Sequence, residues 1–280
     1  DALESDLYAT LFSKNEPDYF NLDYFKKTLD EIHQIIINQT DGLYESLVLD
    51  LKHKVKIFGF HFASLDIRQD SRIHKQVFDE IFSHSEIRKY IEGLPENFDT
   101  LKTPERHQVL TTIKGDVPSE IFQTTITKET LDSIRAMRVI QKRNGERGCN
   151  RYIISNCQTI DNILELFAMH RICNWDQPTV DIIPLFETIP DLRVCKKIMQ
   201  SLYENVQYRN HLASRGNKQT VMLGFSDGTK DGGYFMANWS IYKAKEDLTA
   251  LSNQYGISVA FFDGRGGPPA RGGGNTHEFY

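Results

Sequence analysis

The sequence predicts an α/β fold in which short parallel strands alternate with helices. Five apolar runs have the composition of buried strands, and the last four are centred about 30 to 40 residues apart, enough for a strand, a helix and two loops. Crossover helices between strands are typical of parallel sheets. The architecture is therefore an open doubly wound sheet or part of a (β/α)8 barrel. The predicted strands cover residues 57–65, 152–154, 180–186, 221–225 and 257–262.

Helices are predicted before the first strand and between the others, because apolar residues recur there at helical spacing. The first such stripe consists of Tyr24, Phe25, Leu29, Ile32 and Ile36. A second amphipathic stretch covers residues 43–51. Later helices are predicted over residues 127–143, 160–168, 192–202 and 235–248. The proline- and threonine-bearing stretch 93–130 breaks this rhythm and is predicted to be a helical and loop insertion. We therefore divide the chain into a helical segment, 1–56, and a strand-and-helix domain, 57–280.

The composition is that of an ordinary globular protein. Among 280 residues, 33 are Lys or Arg and 38 are Asp or Glu, so the formal net charge is −5. This balance excludes a disordered chain and a strongly basic nucleic-acid binder, and no apolar run is long enough to cross a membrane. The four cysteines form no CxxC motif, which indicates reduced thiols in the cytoplasm. Because the chain lacks an initial Met and stops just after a glycine-rich motif, we expect a fragment of a longer protein.

Polar side chains follow each predicted strand, where both parallel architectures place their active sites. They are Asp66, Arg68, Ser155, Asn156, Glu187, Ser226, Asp227, Lys230, Asp263 and Arg265. Two carboxylates can bind Mg²⁺ or Mn²⁺ and leave the other coordination positions of the metal to water or substrate oxygens. Neighbouring Arg and Lys side chains suit an anion that carries phosphate and carboxylate groups. The alternative is that each charge is a solvated loop residue or part of a strand-end ion pair. The same placement at five strand ends favours a site.

A glycine-rich segment, 263–274, follows the last predicted strand and carries Arg265 and Arg271. Glycine permits close approach of the backbone to a ligand, so this segment fits a cationic loop that closes over an anionic substrate. An arginine-glycine RNA-binding box and a plain turn are the alternatives. RNA-binding boxes are disordered and repeated, whereas this segment occurs once, after a buried strand, in an acidic chain.

Four segments carry a resemblance to a known family. Residues 221–233 (VMLGFSDGTKDGG) and 262–274 (FDGRGGPPARGGG) resemble signatures of phosphoenolpyruvate carboxylase. Residues 65–69 (LDIRQ) and 184–188 (PLFET) are similar to two further motifs of that family. The four occur in family order. The resemblance implies a partial (β/α)8 barrel of about five of eight units with additional helices. It also implies that phosphoenolpyruvate and bicarbonate give oxaloacetate and phosphate, an anaplerotic CO₂ fixation in the cytoplasm.

The resemblance also assigns roles to residues. Glu187 and Asp227 would hold Mg²⁺ or Mn²⁺, and Lys230 would be the catalytic lysine. The remaining implied residues, which bind substrate or stabilise transferred charge, are Arg68, Arg265, Gly266, Gly267 and the loop residue Arg271. The resemblance further implies a homotetramer, the usual state of family members, and we expect the protein to bind neither nucleic acid nor membrane.

Three departures qualify the resemblance. Asp263 stands where many members have His, and Phe225 and Gly228 replace Tyr and Ser. The upstream family motif with its catalytic His is absent, as are the last strands of a barrel, so this polypeptide alone is expected to be inactive. Two alternatives stay open: another barrel enzyme that handles phosphoenolpyruvate or an enolate, and a non-catalytic homologue, which Asp263 favours.

Overall fold

The computed structural model describes residues 2–12 and 20–264. The chain forms two compact units, Asp1–Leu65 with Arg138–Cys149, and Asp66–Met137 with Asn150–Tyr280. The division at residues 56 and 57 stays a prediction of domain organisation. Within the described ranges, no helix combines the length and the hydropathy needed to cross a bilayer.

The first unit is helical, as the apolar spacing predicts. Its helices are α1 (Ala2–Phe12), α2 (Leu22–Gln39) and α3 (Glu45–Phe58). Asn21 caps α2, because its side-chain oxygen accepts a hydrogen bond from the Tyr24 backbone N–H. The core of this unit contains Phe25 and Leu29 of α2 and Val55 of α3. The predicted apolar stripe that begins at Tyr24 therefore does lie on the side of α2 that faces the core.

The first strand prediction, over residues 57–65, is wrong. Helix α3 continues to Phe58, and the first strand, β1, is Asp66–Asp70. The aromatic run belongs to the helical unit instead, because the Phe60 ring stacks on Phe20 at 5.7 Å and contacts Phe25 at 5.6 Å. Strand β1 lies at one end of the sheet and has a polar sequence, so strand propensity could not identify it.

The strands after β1 are β2 (Ile91–Glu92), β3 (Lys114–Gly115), β4 (Arg151–Ser155), β5 (Asp181–Phe186), β6 (Lys218–Gly224) and β7 (Ser258–Gly264). The second unit is built on a five-stranded parallel sheet with the order β1-β4-β5-β6-β7. Strands β2 and β3 form a separate antiparallel pair, in which β2 lies just before the predicted insertion and β3 lies within it. The last four strand predictions are thus confirmed. Mixed α/β architecture with a parallel sheet is also confirmed.

Seven α-helices lie between these strands along the described part of the chain. They are α4 (Ser71–Ser83), α5 (Thr103–Thr112), α6 (Thr125–Asn144), α7 (Ile160–Arg171), α8 (Ile189–Glu204), α9 (Val206–Ser214) and α10 (Ser226–Gln254). Four of them, α6, α7, α8 and α10, match predicted helices. Helix α10 begins earlier than predicted, because the SDGTK segment is helical, and it bends at Gly233, where φ is 77°. Helix α5 lies within the predicted insertion, and α4 and α9 correspond to no predicted helix.

Strand order in the large sheet follows chain order. Every crossover therefore steps in the same direction, and right-handed crossovers then place the connecting helices on one face. The two faces differ accordingly. On the helix-covered face, Tyr152 is buried against His74 of α4 and His170 of α7. The opposite face carries an apolar cluster of Ile153, Ile183, Leu185 and Met222.

Candidate functional site

The carboxyl ends of parallel strands meet at one edge of the sheet, and four of the predicted site residues lie there. Arg68 lies within β1, rather than after it, and Glu187 follows β5 directly. Asp227 and Lys230 lie in the first turns of α10, directly after β6. Arg68 is in register with Ile153, and cross-strand partners project from the same face, so Arg68 stands on the face of the apolar cluster.

Glu187 is at the centre of the site. Its Oε1 accepts a hydrogen bond from the Asn156 backbone N–H at 2.8 Å, and its Oε2 lies 3.8 Å from Nη2 of Arg68. Asn156 adopts a left-handed conformation, with φ of 54°, which Asn tolerates better than most residues. The Ser71 hydroxyl donates to the Asn156 carbonyl at 2.6 Å and so supports this turn. The turn after β4 therefore holds Glu187 in place.

Burial shifts the protonation equilibrium of Glu187. Its side chain is only 16% exposed, and burial is the largest cause that raises the pKa of this carboxyl. The negative charges of Asp227 and Asp191 raise the pKa further, whereas the Asn156 N–H and the charge of Arg68 lower it. A carboxylate that is partly desolvated and repelled by neighbouring carboxylates gains stability from a nearby cation.

Asp227 and Lys230 form an ion pair on the first turns of α10. Nζ of Lys230 donates to Oδ1 of Asp227 at 2.9 Å, and both side chains are substantially exposed. Asp231 on the same turn accepts a hydrogen bond from the Ile189 backbone N–H at 3.0 Å, which ties this segment to the start of α8. Because the pair is exposed, it contributes little to stability, and both groups can exchange partners when a ligand binds.

Gly224, the last residue of β6, permits the close approach of β6 to Glu187. A methyl group added at Gly224 would lie 2.6 Å from Cβ and 2.9 Å from Cα of Glu187. Distances below 3.0 Å to backbone atoms require the neighbour to move. A glycine is therefore needed here for space rather than for an unusual φ angle.

We predict that Gly224→Ala displaces Glu187 and lowers both activity and stability. Overpacking of a dense site typically costs about 1–3 kcal/mol. Gly228→Ala is the matched control, because its added methyl would meet only ordinary contacts at 3.5 Å, and alanine favours the helix in which it lies. Thermal unfolding and turnover of both variants provide the measurement. Equal behaviour of the two variants would contradict the steric account.

Asp263 lies in β7 and pairs with a lysine. Nζ of Lys245 on α10 lies 2.7 Å from Oδ1 and 2.9 Å from Oδ2 of Asp263. The same ammonium lies over the ring of Phe261, two residues earlier on the same face of the strand. Asp263 therefore projects toward helix α10, and its neighbour Phe262, in register with Met222, projects toward the apolar cluster. The other predicted residues of this loop, Arg265, Gly266, Gly267 and Arg271, lie outside the described residues.

The residues present fit a divalent cation. Among the described residues, no group of three or more His, Cys, Asp or Glu side chains has the geometry of a metal site. Glu187 and Asp227 supply two carboxylates, one of them partly desolvated, which matches the oxygen-rich, partly hydrated sites that Mg²⁺ occupies. Two protein ligands leave positions for water and substrate oxygens.

Sequence reasoning missed three contributors to this edge of the sheet. They are Gly224, the Asp231 hydrogen bond to α8, and a clamp between Asp70 and Arg72 at the start of α4. The clamp had a sequence signal, because an Asp directly before an amphipathic helix is a typical N-cap. The other two contributors depend on how neighbouring strands and helices meet, which the local sequence does not report.

Comparisons with known proteins agree on one family. A family model described as Phosphoenolpyruvate carboxylase matches residues 3–279. A protein named Phosphoenolpyruvate carboxylase from Nitrosomonas eutropha is 38% identical over 251 residues, covering 86% of this chain and 26% of the relative. A protein of the same name from Nitrosomonas europaea is 36% identical over 286 residues, covering 99% of this chain and 30% of the relative. The chain thus spans less than a third of the length of these relatives.

Proposed function

The chain belongs to the phosphoenolpyruvate carboxylase family, and from this premise we propose that the full-length protein carboxylates phosphoenolpyruvate with bicarbonate. The products are oxaloacetate and phosphate. The observation that carries this proposal is the convergence of Arg68, Glu187, Asp227 and Lys230 at one edge of the parallel sheet. The reaction is an anaplerotic CO₂ fixation in the cytoplasm.

We propose further that the sheet is five strands of a (β/α)8 barrel. The strand order supports this reading, because strands that follow one another in chain order carry their helices on one face, as in a barrel. A doubly wound sheet instead reverses its strand order at a switch point. Both outer strands would then pair with strands supplied by the rest of the full-length protein.

Glu187 and Asp227 would hold the divalent metal, Mg²⁺ or Mn²⁺. The raised pKa of Glu187 supports this assignment, since a cation would relieve the repulsion that its neighbour Asp227 exerts. When bound, the metal stabilises negative charge on substrate oxygen as a Lewis acid. Lys230, whose side chain is exposed and pairs with Asp227, would present its ammonium to the substrate.

The cationic side chains would bind the phosphoryl group during its transfer. Bicarbonate oxygen attacks phosphorus, the bond from phosphorus to the enol oxygen breaks, and carboxyphosphate and the enolate of pyruvate form. Arg68 would donate hydrogen bonds to the phosphoryl oxygens, where charge develops during transfer. Carboxyphosphate then releases CO₂, and the enolate carbon attacks it to form oxaloacetate. Arg265, Gly266, Gly267 and Arg271 would bind substrate and close the site against water, which would otherwise protonate the enolate to pyruvate.

The whole protein's properties follow as proposals. We expect a homotetramer that binds neither nucleic acid nor membrane. The 280-residue chain by itself is expected to be inactive, because it spans only 26% and 30% of the two relatives.

The test is formation of oxaloacetate from phosphoenolpyruvate by the full-length gene product, with and without bicarbonate and with and without Mg²⁺. We expect product only when both are present. Product that forms without bicarbonate would indicate another reaction of phosphoenolpyruvate. No product from folded protein that binds Mg²⁺ would indicate a non-catalytic homologue.

A further inference from the structure

A second arginine, Arg72, follows Arg68 in the chain and lies just beyond the carboxyl end of β1. The strand ends at Asp70, and α4 begins at Ser71. Side chains of a strand alternate between its faces, so Asp70 projects from the same face as Arg68. Oδ1 of Asp70 accepts a hydrogen bond from the Arg72 backbone N–H at 2.8 Å and thereby caps α4. The cap orients the Asp70 carboxylate at the edge of the sheet that carries Glu187.

The Asp70 carboxylate also holds the side chain of Arg72. Nε of Arg72 donates to Oδ1 at 2.9 Å, and Nη2 donates to Oδ2 at 2.8 Å, so the contact is bidentate. These hydrogen bonds are the largest cause that lowers the pKa of Asp70, which keeps the clamp charged. The clamp uses two of the five N–H groups of the guanidinium and leaves three for a ligand. The Arg72 side chain is 78% exposed, so a ligand can reach it from solvent.

Arg72 lies within electrostatic reach of the candidate metal site. The pKa of its guanidinium is raised mainly by Asp70, and the charge of Glu187 contributes as well. Three cations, Arg68, Arg72 and Lys230, thus accompany the carboxylates Asp70, Glu187 and Asp227. A divalent cation held by Glu187 and Asp227 would neutralise these two carboxylates, and the neighbouring guanidinium groups of Arg68 and Arg72 would then attract an anion. An exposed ion pair adds little to stability, so the main consequence of the clamp is a fixed orientation of Arg72.

We propose that Arg72 binds an oxyanion of phosphoenolpyruvate at the mouth of the site, with Asp70 as the residue that positions it. The inference rests on the proposed function and adds a residue that none of the family motifs singled out above assigns. Arg72 acts in substrate capture, and Arg68, which is nearer to Glu187, acts on the transferred group. A preorganised guanidinium loses little conformational freedom when it binds an anion, which is the advantage of holding it in a clamp.

The test compares Arg72→Gln and Arg72→Lys with wild type in the full-length protein. For Arg72→Gln we expect KM for phosphoenolpyruvate to rise about tenfold, while kcat changes less than threefold, about the effect of one charge-assisted hydrogen bond to a ligand. Arg72→Lys keeps the positive charge but not the planar guanidinium that binds in a bidentate way. It should therefore recover only part of the affinity for phosphoenolpyruvate. Asp70→Asn keeps the helix cap but weakens the clamp, and an intermediate rise in KM is expected.

Arg209→Gln is the matched control, because Arg209 is an exposed arginine on α9, which leads to the amino end of β6 at the opposite edge of the sheet. An equal effect of Arg72→Gln and Arg209→Gln, or a rise confined to the KM for bicarbonate, would overturn the assignment. Calorimetric binding of phosphoenolpyruvate with Mg²⁺ separates this inference from the proposed reaction. Wild type that binds without turnover, and binds more weakly after Arg72→Gln, supports Arg72 and overturns only the reaction. Wild type that does not bind overturns both.

Discussion

Lys230→Ala is expected to lower kcat of the full-length protein about a hundredfold, while KM for phosphoenolpyruvate changes little. The expected loss corresponds to about 3 kcal/mol, the cost of removing one positioned charge from a transition state. The structure motivates this expectation, because the Lys230 side chain is 77% exposed and, among the contacts described, its ammonium binds only Asp227. Such an exposed ion pair is weak, so the lysine can reorient toward the substrate at little cost. Steady-state kinetics with saturating bicarbonate and Mg²⁺ provide the measurement.

The control for this prediction lies on the same helix. Lys243 and Glu246 form an ion pair with the same spacing of three residues as Asp227 and Lys230, on the part of α10 beyond the bend at Gly233. Lys243→Ala removes the same charge and a comparable ion pair, so it reports any effect on helix stability or net charge. We expect it to leave kcat within about twofold of wild type, as surface substitutions usually do. If Lys230→Ala also leaves kcat within about twofold of wild type, Lys230 has no catalytic role.

The parallel sheet was predictable because its central strands are buried on both faces. The central strands β4, β5 and β6 read as continuous apolar runs for this reason. The outer strand β7 is only partly buried, but it too carries an apolar run, so four of the five large-sheet strands could be located. Once the strands were placed, the rule that active sites follow strand ends identified Glu187 and Asp227. The family resemblance then added the expected roles. The roles of these residues and the complete barrel stay predictions.

The errors have physical causes as well. Strand β1 carries Asp66, whose carboxylate pairs with Arg151 of β4 at 2.8 Å, so part of its cross-strand pairing is ionic rather than apolar. An apolar pattern cannot report such a strand, and the nearby aromatic run around Phe60 misled the interpretation. The Gly224 contact and the Lys245–Asp263 pair depend on the packing of elements distant in sequence. Local pattern reasoning has no access to such contacts.

Mild acid should destabilise the sheet-bearing unit through its buried histidines. His74 and His170 both contact the ring of Tyr152, and His211 contacts the ring of Phe167. Burial is the largest cause of each shift and lowers the pKa of His74 to about 3, of His170 to about 4 and of His211 to about 3. For His74 the nearby His170 lowers the pKa further, and Asp70 opposes it. All three are therefore neutral in the folded state at neutral pH.

The direction of the pH effect follows from these shifts. The ordinary pKa of histidine is 6.5. Well above this pH, the folded and unfolded chains bind the same number of protons at these three sites. As pH falls below this value, the unfolded chain takes up protons that the folded chain refuses, and the free energy of unfolding falls by about 1.4 kcal/mol per pH unit for each histidine. Glu165 acts in the opposite sense, because burial raises its pKa to about 7 and the folded state holds its proton. For the three histidines and Glu165 together, the free energy of unfolding falls by about 5 kcal/mol between pH 6.5 and 4.5. This is comparable to the whole stability of many domains.

Hydrogen–deuterium exchange of the backbone amides of α4, α7 and β4, corrected for intrinsic rates, measures this effect locally. We expect opening free energies to fall steeply between pH 6.5 and 5, and His74→Leu to reduce the slope by about one proton. Phe78→Leu is the control, because Phe78 is buried on the same helix and carries no titratable group. That variant should lower stability at every pH by a similar amount and leave the slope unchanged. A slope that His74→Leu does not alter would mean that His74 takes up its proton in the folded state, and burial would not then be the source of acid sensitivity.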